Sequence, residues 1–411
     1  MPKTSAIEEL PSNDADDGRI SKDHKLNYID TLRGIAILMV IFVHHEQQFP
    51  QAPKLLHLVA SYCQMGVQLF FVASAFTLCT SYTLRSAELN PLSSFFIRRY
   101  FRIAPLYYIG LVFYALCDQL FRYFGTPVGE SLYTPLNVVA NLLFVHGFVP
   151  TAYNGVVPGG WSIGTEMTFY LMFPLLFGLL GRNYSRAGMW PLYCLIAGSL
   201  AVNVLFQWFL FHAYGKVPQN NDIIYCSIIN QLPVFLIGMT VFFARHGRGE
   251  AGRMTGRLDQ SSHGRRHMLI NAIGFLTFTL LAMACLRSNR IFGDEHGIAT
   301  IFLPTVSAVS FVFLFNICRT YVSGAGLLEK IGQVSFSMYI FHFAFAWWLT
   351  KSLLDVTSSL IPASVMYVAT LAITLTCTFA VAMLSKVVIE DRFIEFGRRW
   401  IRRRDGARAT I

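Results

Sequence analysis

Stretches of roughly 20 predominantly apolar residues recur along this chain, and that recurrence restricts its fold more than any single motif does. One helix of that length crosses the hydrocarbon core of a bilayer, about 30 Å thick. Inside lipid the backbone amides find no water, so a spanning segment has to satisfy its own hydrogen bonds as a helix or close into a barrel. Runs of this length select the helix. They fall at 32–50, 62–84, 103–124, 160–180, 190–211, 223–244, 268–287, 298–317, 331–351 and 363–386. A soluble domain is about a quarter charged, whereas here 14% of residues are charged and 54% hydrophobic, a balance that needs a lipid solvent. A further apolar patch at 136–149 is too short to cross and is bounded by Pro135 and Pro150. The fold class is therefore an all-α polytopic membrane protein of about ten transmembrane helices plus one short re-entrant or interfacial segment.

Orientation follows from lysine and arginine, which are retained on the cytoplasmic side. With the N-terminus inside, all but six of the 33 basic residues (Lys54, Arg122, Lys216, Arg287, Arg290 and Lys351) fall in cytoplasmic segments. Both termini are then cytoplasmic, and an eleventh crossing at 136–149 would spoil the asymmetry. The formal charge of +10 reflects this topology and the anionic lipid surface, and no nucleic-acid-binding motif accompanies it, so membrane lipids and not nucleic acid are the expected partners. Residues 1–25 are polar and acidic-rich, without the apolar core of a secretory signal, and read as a disordered cytoplasmic tail. Residues 26–390 form the membrane domain, and 391–411 a basic cytoplasmic tail whose RRWIRRR run at 398–404 is expected against the inner leaflet, with Trp400 and Ile401 as apolar contacts. The eight cysteines lie mostly within apolar runs at spacings that indicate neither disulfides nor a metal site, so no metal is expected.

An ionisable group inside a membrane helix costs about 2.5 kcal/mol or more at the centre, so each one present is a candidate for function. Arg33 and His44 are eleven residues apart in the first span, which puts them about 20° apart on one face with roughly 16 Å of rise between them. Both are expected to look into one cavity, with His44 at mid-depth, either bonded to a neighbouring helix or catalytic. His45 points elsewhere and is read as structural. The run RRYFR brings Arg98, Arg99 and Arg102 to the cytoplasmic mouth. Arg98 and Arg102, one turn apart, form either a bidentate phosphate clamp or a simple positive-inside anchor. Pro105 follows closely and should bend the helix there. In GGWSIGTEMTFY, Ser162, Glu166 and Tyr170 make a polar stripe, on which Glu166 serves to partner a histidine, to accept a hydroxyl proton, or to bond a neighbouring helix. The ninth span carries His342 at a depth matching His44, with Ser335 on the same face.

Five segments taken together resemble the membrane-bound acyltransferase 3 family: YIDTLRGIAILMVIFVHH at 28–45, QLFFVASAFTL at 68–78, FFIRRYFRIAPLYY at 95–108, GGWSIGTEMTFY at 159–170 and IGQVSFSMYIFHFAF at 331–345. The family's arginine, ten residues, histidine pattern falls on Arg33 and His44. Its RRxxR pattern falls on Arg98, Arg99 and Arg102, and its tryptophan-to-glutamate segment on Trp161 and Glu166. Ala73, Ser74 and Ala75 stand where the family commonly has a serine and a glycine, a conservative departure that tightens helix packing.

The resemblance implies an O-acyltransferase that moves an acyl group, usually acetyl, from cytoplasmic acyl-CoA to a hydroxyl of a saccharide, lipid-linked glycan or similar acceptor, in the bacterial inner membrane. Acyl-CoA is a co-substrate and no bound cofactor is implied. Its phosphates would dock on Arg98, Arg99 and Arg102, with His44 as general base or transient acyl carrier, Glu166 as its orienting or activating partner, and Ser162 and His342 on the acceptor side. No appended esterase-like domain is expected after the tenth span, so the membrane domain would complete the transfer alone. Acetyl, succinyl and longer donors all stay open, as does the oligomeric state. Two other classes fit the buried polar groups: a transporter or flippase, which needs no RRxxR at its mouth, and a membrane sensor or scaffold, which is indifferent to loss of His44.

Overall fold

The apolar runs are helices in the computed structural model, which describes residues 27–125, 131–215, 218–246, 262–292, 298–321, 326–357 and 361–409. The acidic segment 1–25 lies outside the described residues. The chain enters through α1 (Asn27–Glu46), turns, and returns through α2 (Lys54–Cys63) and α3 (Gly66–Leu84). Helix α4 (Pro91–Tyr123) is continuous for 33 residues with Pro105 inside it. The arginine-bearing segment, expected to bend at Pro105, runs through that residue as the first part of one long helix. Membrane helices tolerate an internal proline because neighbouring groups take up the carbonyl it frees.

The 136–149 patch folds as α5 (Pro135–Leu142), eight residues long, followed by a single 3-10 turn at His146–Phe148. Eight residues reach about 12 Å, too little to cross. Leu136, Val139 and Leu143 on α5 and its exit face outward, while Asn137, Asn141 and His146 are buried. Next come α6 (Gly160–Ala187), α7 (Trp190–Tyr214), α8 (Pro218–Cys226), α9 (Ile228–His246), α10 (Ser262–Phe292) and α11 (Ile298–Tyr321).

Nine helices among the described residues are long and apolar enough to span a membrane. The stretch 331–351 is helical too, but it is more polar and interrupted. It consists of α12 (Leu327–Gln333), a break at Val334, α13 (Ser335–Phe343), a π-helical turn at Ala344–Leu349 and α14 (Thr350–Thr357). The chain ends with α15 (Ala363–Ser385), a second π-helical turn at Lys386–Glu390 and α16 (Asp391–Ala409). No strand occurs among the described residues.

Burial sorts the helices. Span Asp222–Arg245 is 78% buried and α1 61%, whereas α7 and α10 are 17% and 11% buried and present their apolar sides to lipid. The central contact is between α1 and α12. A Cβ at Gly34 would strike the carbonyl of Leu328, and one at Gly332 the carbonyl of Asp30. These two backbones meet because neither glycine has a side chain to hold them apart. Gly332→Ala should therefore force them open at a cost of about 1–3 kcal/mol, read as a fall of about 3 °C or more in the thermal midpoint of the purified protein. An unchanged midpoint would show that the contact is dispensable. Similarly, Gly238 on α9 receives Val72 and Ala75 of α3, so a glycine on the facing helix accommodates the small residues at 73–75.

The basic C-terminal run is spent on protein as well as on its surroundings. Phe101 of α4 lies 5.2 Å from Phe396 and 5.7 Å from Trp400, ring centre to ring centre, and Arg404 donates to the hydroxyls of Ser93 and Ser94 at 2.6 Å each. Ile401 is buried in this seam, while Arg398, Arg399 and Arg402 face outward. The apolar contacts expected for the leaflet are thus made with α4, while these three exposed guanidinium groups gather around the single carboxylate of Glu395, at 2.9–4.0 Å, and leave a net positive surface.

Candidate active site

Helices α1, α3, α4, α6 and α13 enclose a cavity of about 70 Å³ at the arginine-rich end of the bundle. Arg33 of α1 and Arg99 and Arg102 of α4 enter it, opposite Glu166 of α6. Three guanidinium groups against one carboxylate leave an excess of positive charge, which favours an anion with several oxygens.

Each charged group is held in place. Glu166 Oε1 accepts from Ser74 Oγ and from Tyr170 Oη, both at 2.6 Å. Arg99 donates to Ser81 Oγ at 2.9 Å and lies over the rings of Phe95 and Tyr170, at 5.7 and 5.6 Å from their centres. Its Nε is buried without a hydrogen-bond partner among the described residues. Such an orphaned donor in low dielectric is costly and is satisfied by an arriving acceptor. Arg33 stands 3.8 Å from Asp30.

The cavity stops at a polar bridge. Ser162 Oγ donates to Tyr339 Oη at 2.7 Å, and Tyr339 Oη donates to the carbonyl of Gly159 at 3.0 Å. Gly159 has φ +75°, and a Cβ there would lie 2.9 Å from Phe343 and 3.1 Å from Tyr339 Oη. Only glycine fits both the backbone and the space.

Beyond the bridge are the two histidines. The rings of His44 and His342 are 5.3 Å apart, and Phe343 packs on both, at 4.4 and 4.1 Å. His342 is fully buried, whereas His44 is half-buried. His342 Nδ1 is 2.7 Å from the Tyr339 carbonyl, and His44 Nδ1 is 3.3 Å from Gln47 Oε1. The Tyr339 carbonyl only accepts, so His342 Nδ1 carries the proton and its Nε2 presents a lone pair. His342 Nε2 has no partner among the described residues.

The structure thus gathers some of the residues expected from the sequence and separates others. Arg33, Arg99, Arg102, Ser162 and Glu166 line one cavity, and His44 and His342 pair outside its lining, the ring of His342 5.5 Å from that of the cavity-lining Tyr339. Arg33 lines this cavity and His44 is not part of its lining, being packed on Phe343 instead. Arg98 is not beside Arg102 in the chamber. Its fork is taken by Glu88 at 3.0 and 2.7 Å, so the guanidinium groups that line the cavity are those of Arg99, Arg102 and Arg33. Glu166 bonds Ser74 and Tyr170 and neither histidine. Trp161 is buried one layer back, 6.2 Å from the ring of Phe71 and 5.3 Å from that of Tyr225. His45, read as structural, bonds Thr370 at 2.9 Å. Sequence reasoning gave no role to Tyr339 or Ser74. The signal for Tyr339 was its spacing, three residues before His342 on the same helical face. Among the described residues no three His, Cys, Asp or Glu side chains come together as a metal-binding set.

A helical membrane protein with a polycationic chamber next to a histidine pair is the setting in which sequence comparison becomes informative. The family pattern described as an acyltransferase domain matches residues 26–383, and the chain belongs to this acyltransferase 3 family. Acyltransferase MdmB of Streptomyces mycarofaciens is 29% identical over 178 residues, covering 40% of this chain and 43% of that protein. A Staphylococcus aureus (strain COL) protein, provisionally named an O-acetyltransferase, is 23% identical over 344 residues, 79% of this chain and 52% of its own length. Protein 2 in the picA locus of Rhizobium radiobacter is 29% identical over 154 residues, 34% of this chain and 75% of that protein. The chain therefore spans about half the length of the first two relatives. No solved structure matches it.

Proposed function

We propose that this chain is an O-acyltransferase of a bacterial inner membrane, with both termini cytoplasmic, that moves an acetyl or related acyl group from acyl-CoA to a hydroxyl of a saccharide or lipid-linked glycan. The observation that carries this reading is the guanidinium-lined cavity beside the histidine pair, joined to it by Tyr339, which lines the cavity and lies 5.5 Å ring to ring from His342. Arg33, Arg99 and Arg102 surround a space suited to the phosphates of the donor, and one bridge away lie the two imidazoles. The names of the relatives support acyl transfer, and the excess of arginine and lysine on one set of loops supports the orientation.

In this reading the anionic donor settles on the three guanidinium groups, with the buried Arg99 Nε among the atoms it satisfies. The pantetheine arm, which is thin and uncharged, passes the Ser162–Tyr339 bridge and brings the thioester to the histidines. His44 Nε2 takes the proton of the acceptor hydroxyl as its oxygen attacks the thioester carbon. The C–S bond breaks, and the imidazolium returns the proton to the CoA thiolate. In the two-step form His44 Nε2 attacks the thioester carbon, the C–S bond breaks and CoA leaves as the thiolate, giving an Nε2-acyl-imidazolium. The acceptor hydroxyl then adds to the acyl carbon, the N–C bond breaks to return neutral imidazole, and the hydroxyl proton is released to balance the thiolate. Gln47, accepting at Oε1 from His44 Nδ1, would hold the tautomer that both routes require.

The test is label transfer by the purified full chain in nanodiscs. Acetyl-labelled CoA with a de-esterified envelope glycan should yield alkali-labile label on the glycan, and omission of the glycan in the two-step form should leave label on His44. A protein that binds acetyl-CoA but releases no CoA under any of these conditions would contradict the assignment. So would glycan or lipid movement across the nanodisc's counterpart in sealed vesicles without acyl transfer, which is the behaviour of a transporter.

A further inference from the structure

The inner face of α15 breaks its own rhythm at the arginine-rich end of the bundle. Thr370, Thr374, Thr378, Ala382 and Ser385 recur at intervals of three or four residues, as an α-helix requires of one face, and none is more than 5% exposed. The next buried position is Glu390, five residues on. At the α-helical interval that place would fall to Val388 or Ile389. The π-helical turn at Lys386–Glu390 admits one extra residue and brings a carboxylate inward instead.

The surroundings of Glu390 come from α4, α13 and its own turn. Its Oε1 accepts from Ser337 Oγ of α13, and Ser337 Oγ lies 3.1 Å from Ser385 Oγ. The turn that carries it packs on α4. The charges that act on Glu390 are Arg102 of α4, then Lys386 and Asp391. Lys386 and Asp391 are 2.9 Å apart and largely cancel, which leaves Arg102 as the cation that answers the buried carboxylate.

Arg102 has need of such a neighbour. Arg99 donates to Ser81 and Arg33 stands by Asp30, whereas no hydrogen bond or ion pair holds Arg102 among the described residues. Arg33 and Arg99 both feel its positive charge, and like charges gathered on one small cavity repel. Glu166 offsets part of this from inside the cavity. Glu390 is not in the cavity lining, so its charge reaches Arg102 without taking up room that the donor needs.

We propose that Glu390 is a positioning residue: its carboxylate, turned inward by the π-helical turn and held by Ser337, is the counter-charge that keeps Arg102 in the cavity against the repulsion of Arg33 and Arg99. The site is then assembled before the donor arrives, which spares binding the cost of gathering three cations. The inference rests on the reading of this cavity as the phosphate site of acyl-CoA and adds a residue outside the lining that acts through Arg102.

The test is a double-mutant cycle on acetyl-CoA affinity, measured with the full chain in nanodiscs. Glu390→Gln keeps an acceptor for Ser337 and removes the charge. It should weaken acetyl-CoA binding about three- to tenfold, the coupling expected of charges in one network, while kcat stays within about twofold. In the Arg102→Ala background the same change should alter affinity by less than about twofold. Equal effects in both backgrounds would overturn the proposal. Unchanged or tighter binding in the single variant would do so too, tighter binding because it would make Glu390 a competitor of the anion. Ser337→Ala, which loosens the carboxylate without removing it, should weaken binding about twofold and only while Arg102 is present, and it carries the same cycle if Glu390→Gln does not fold. An Arg102→Ala protein that binds acetyl-CoA as the wild type does would remove the parent reading of the cavity, whereas a loss at Arg102 without coupling to Glu390 would remove the positioning role alone.

Discussion

His44→Ala should lower acyl transfer by roughly 10²–10⁴-fold, the range over which a positioned acid–base group acts, while acetyl-CoA still binds. The separation of effects follows from the geometry. The imidazole lies beyond the Ser162–Tyr339 bridge, packed on Phe343 and 5.8 Å from the ring centre of Trp347, and none of the arginine contacts passes through it. Ester content of envelope glycans by mass spectrometry, paired with acetyl-CoA binding by the purified variant, gives both readouts. A His44→Ala protein with a normal ester inventory would remove the chemistry from this histidine. One that has lost acetyl-CoA binding as well would mean that the histidine takes part in holding the donor. His342→Ala is the informative companion, since its buried ring contacts His44 and its Nδ1 is tied to the backbone.

The second large effect should divide the arginine motif. Arg99→Ala and Arg102→Ala remove cavity-facing guanidinium groups, and a hydrogen bond to a charged group is worth about 1.5–3 kcal/mol. Each should therefore raise the KM for acetyl-CoA about 10–100-fold with a smaller effect on kcat. Arg98→Ala should change it by less than about fivefold, because Arg98 is committed to Glu88 in a partly exposed ion pair of the kind that contributes little. Equal effects at all three positions would restore the clamp on Arg98 and Arg102 that helical spacing alone suggests.

That contrast also shows where sequence reasoning reaches its limit. Apolar run lengths located nearly every spanning helix, and the failure of 136–149 to cross followed from length alone. Helical periodicity correctly put Ser162, Glu166 and Tyr170 on one stripe and His44 and His342 at matching depths. Periodicity describes one helix at a time, however. It cannot say that Glu88, in a loop without repeat, turns toward Arg98, or that His44 packs on Phe343 outside the lining of the cavity that Arg33 enters. Gln68 and Gln231 escaped notice for a similar reason: they are separate polar residues in two apolar helices, and only packing brings them to 3.0 Å of each other. Continuity through Pro105 was hidden because proline's cost in water is offset in a bundle by neighbouring groups.

The glycine contact between α1 and α12 has a mechanical consequence. Gly34 and Gly332 each stand ten residues before a histidine of the pair, and backbone against backbone leaves almost no slack for sliding. His44, on the same unbroken helix as Gly34, is consequently fixed in height against α12, whereas the break at Val334 separates His342 from that contact.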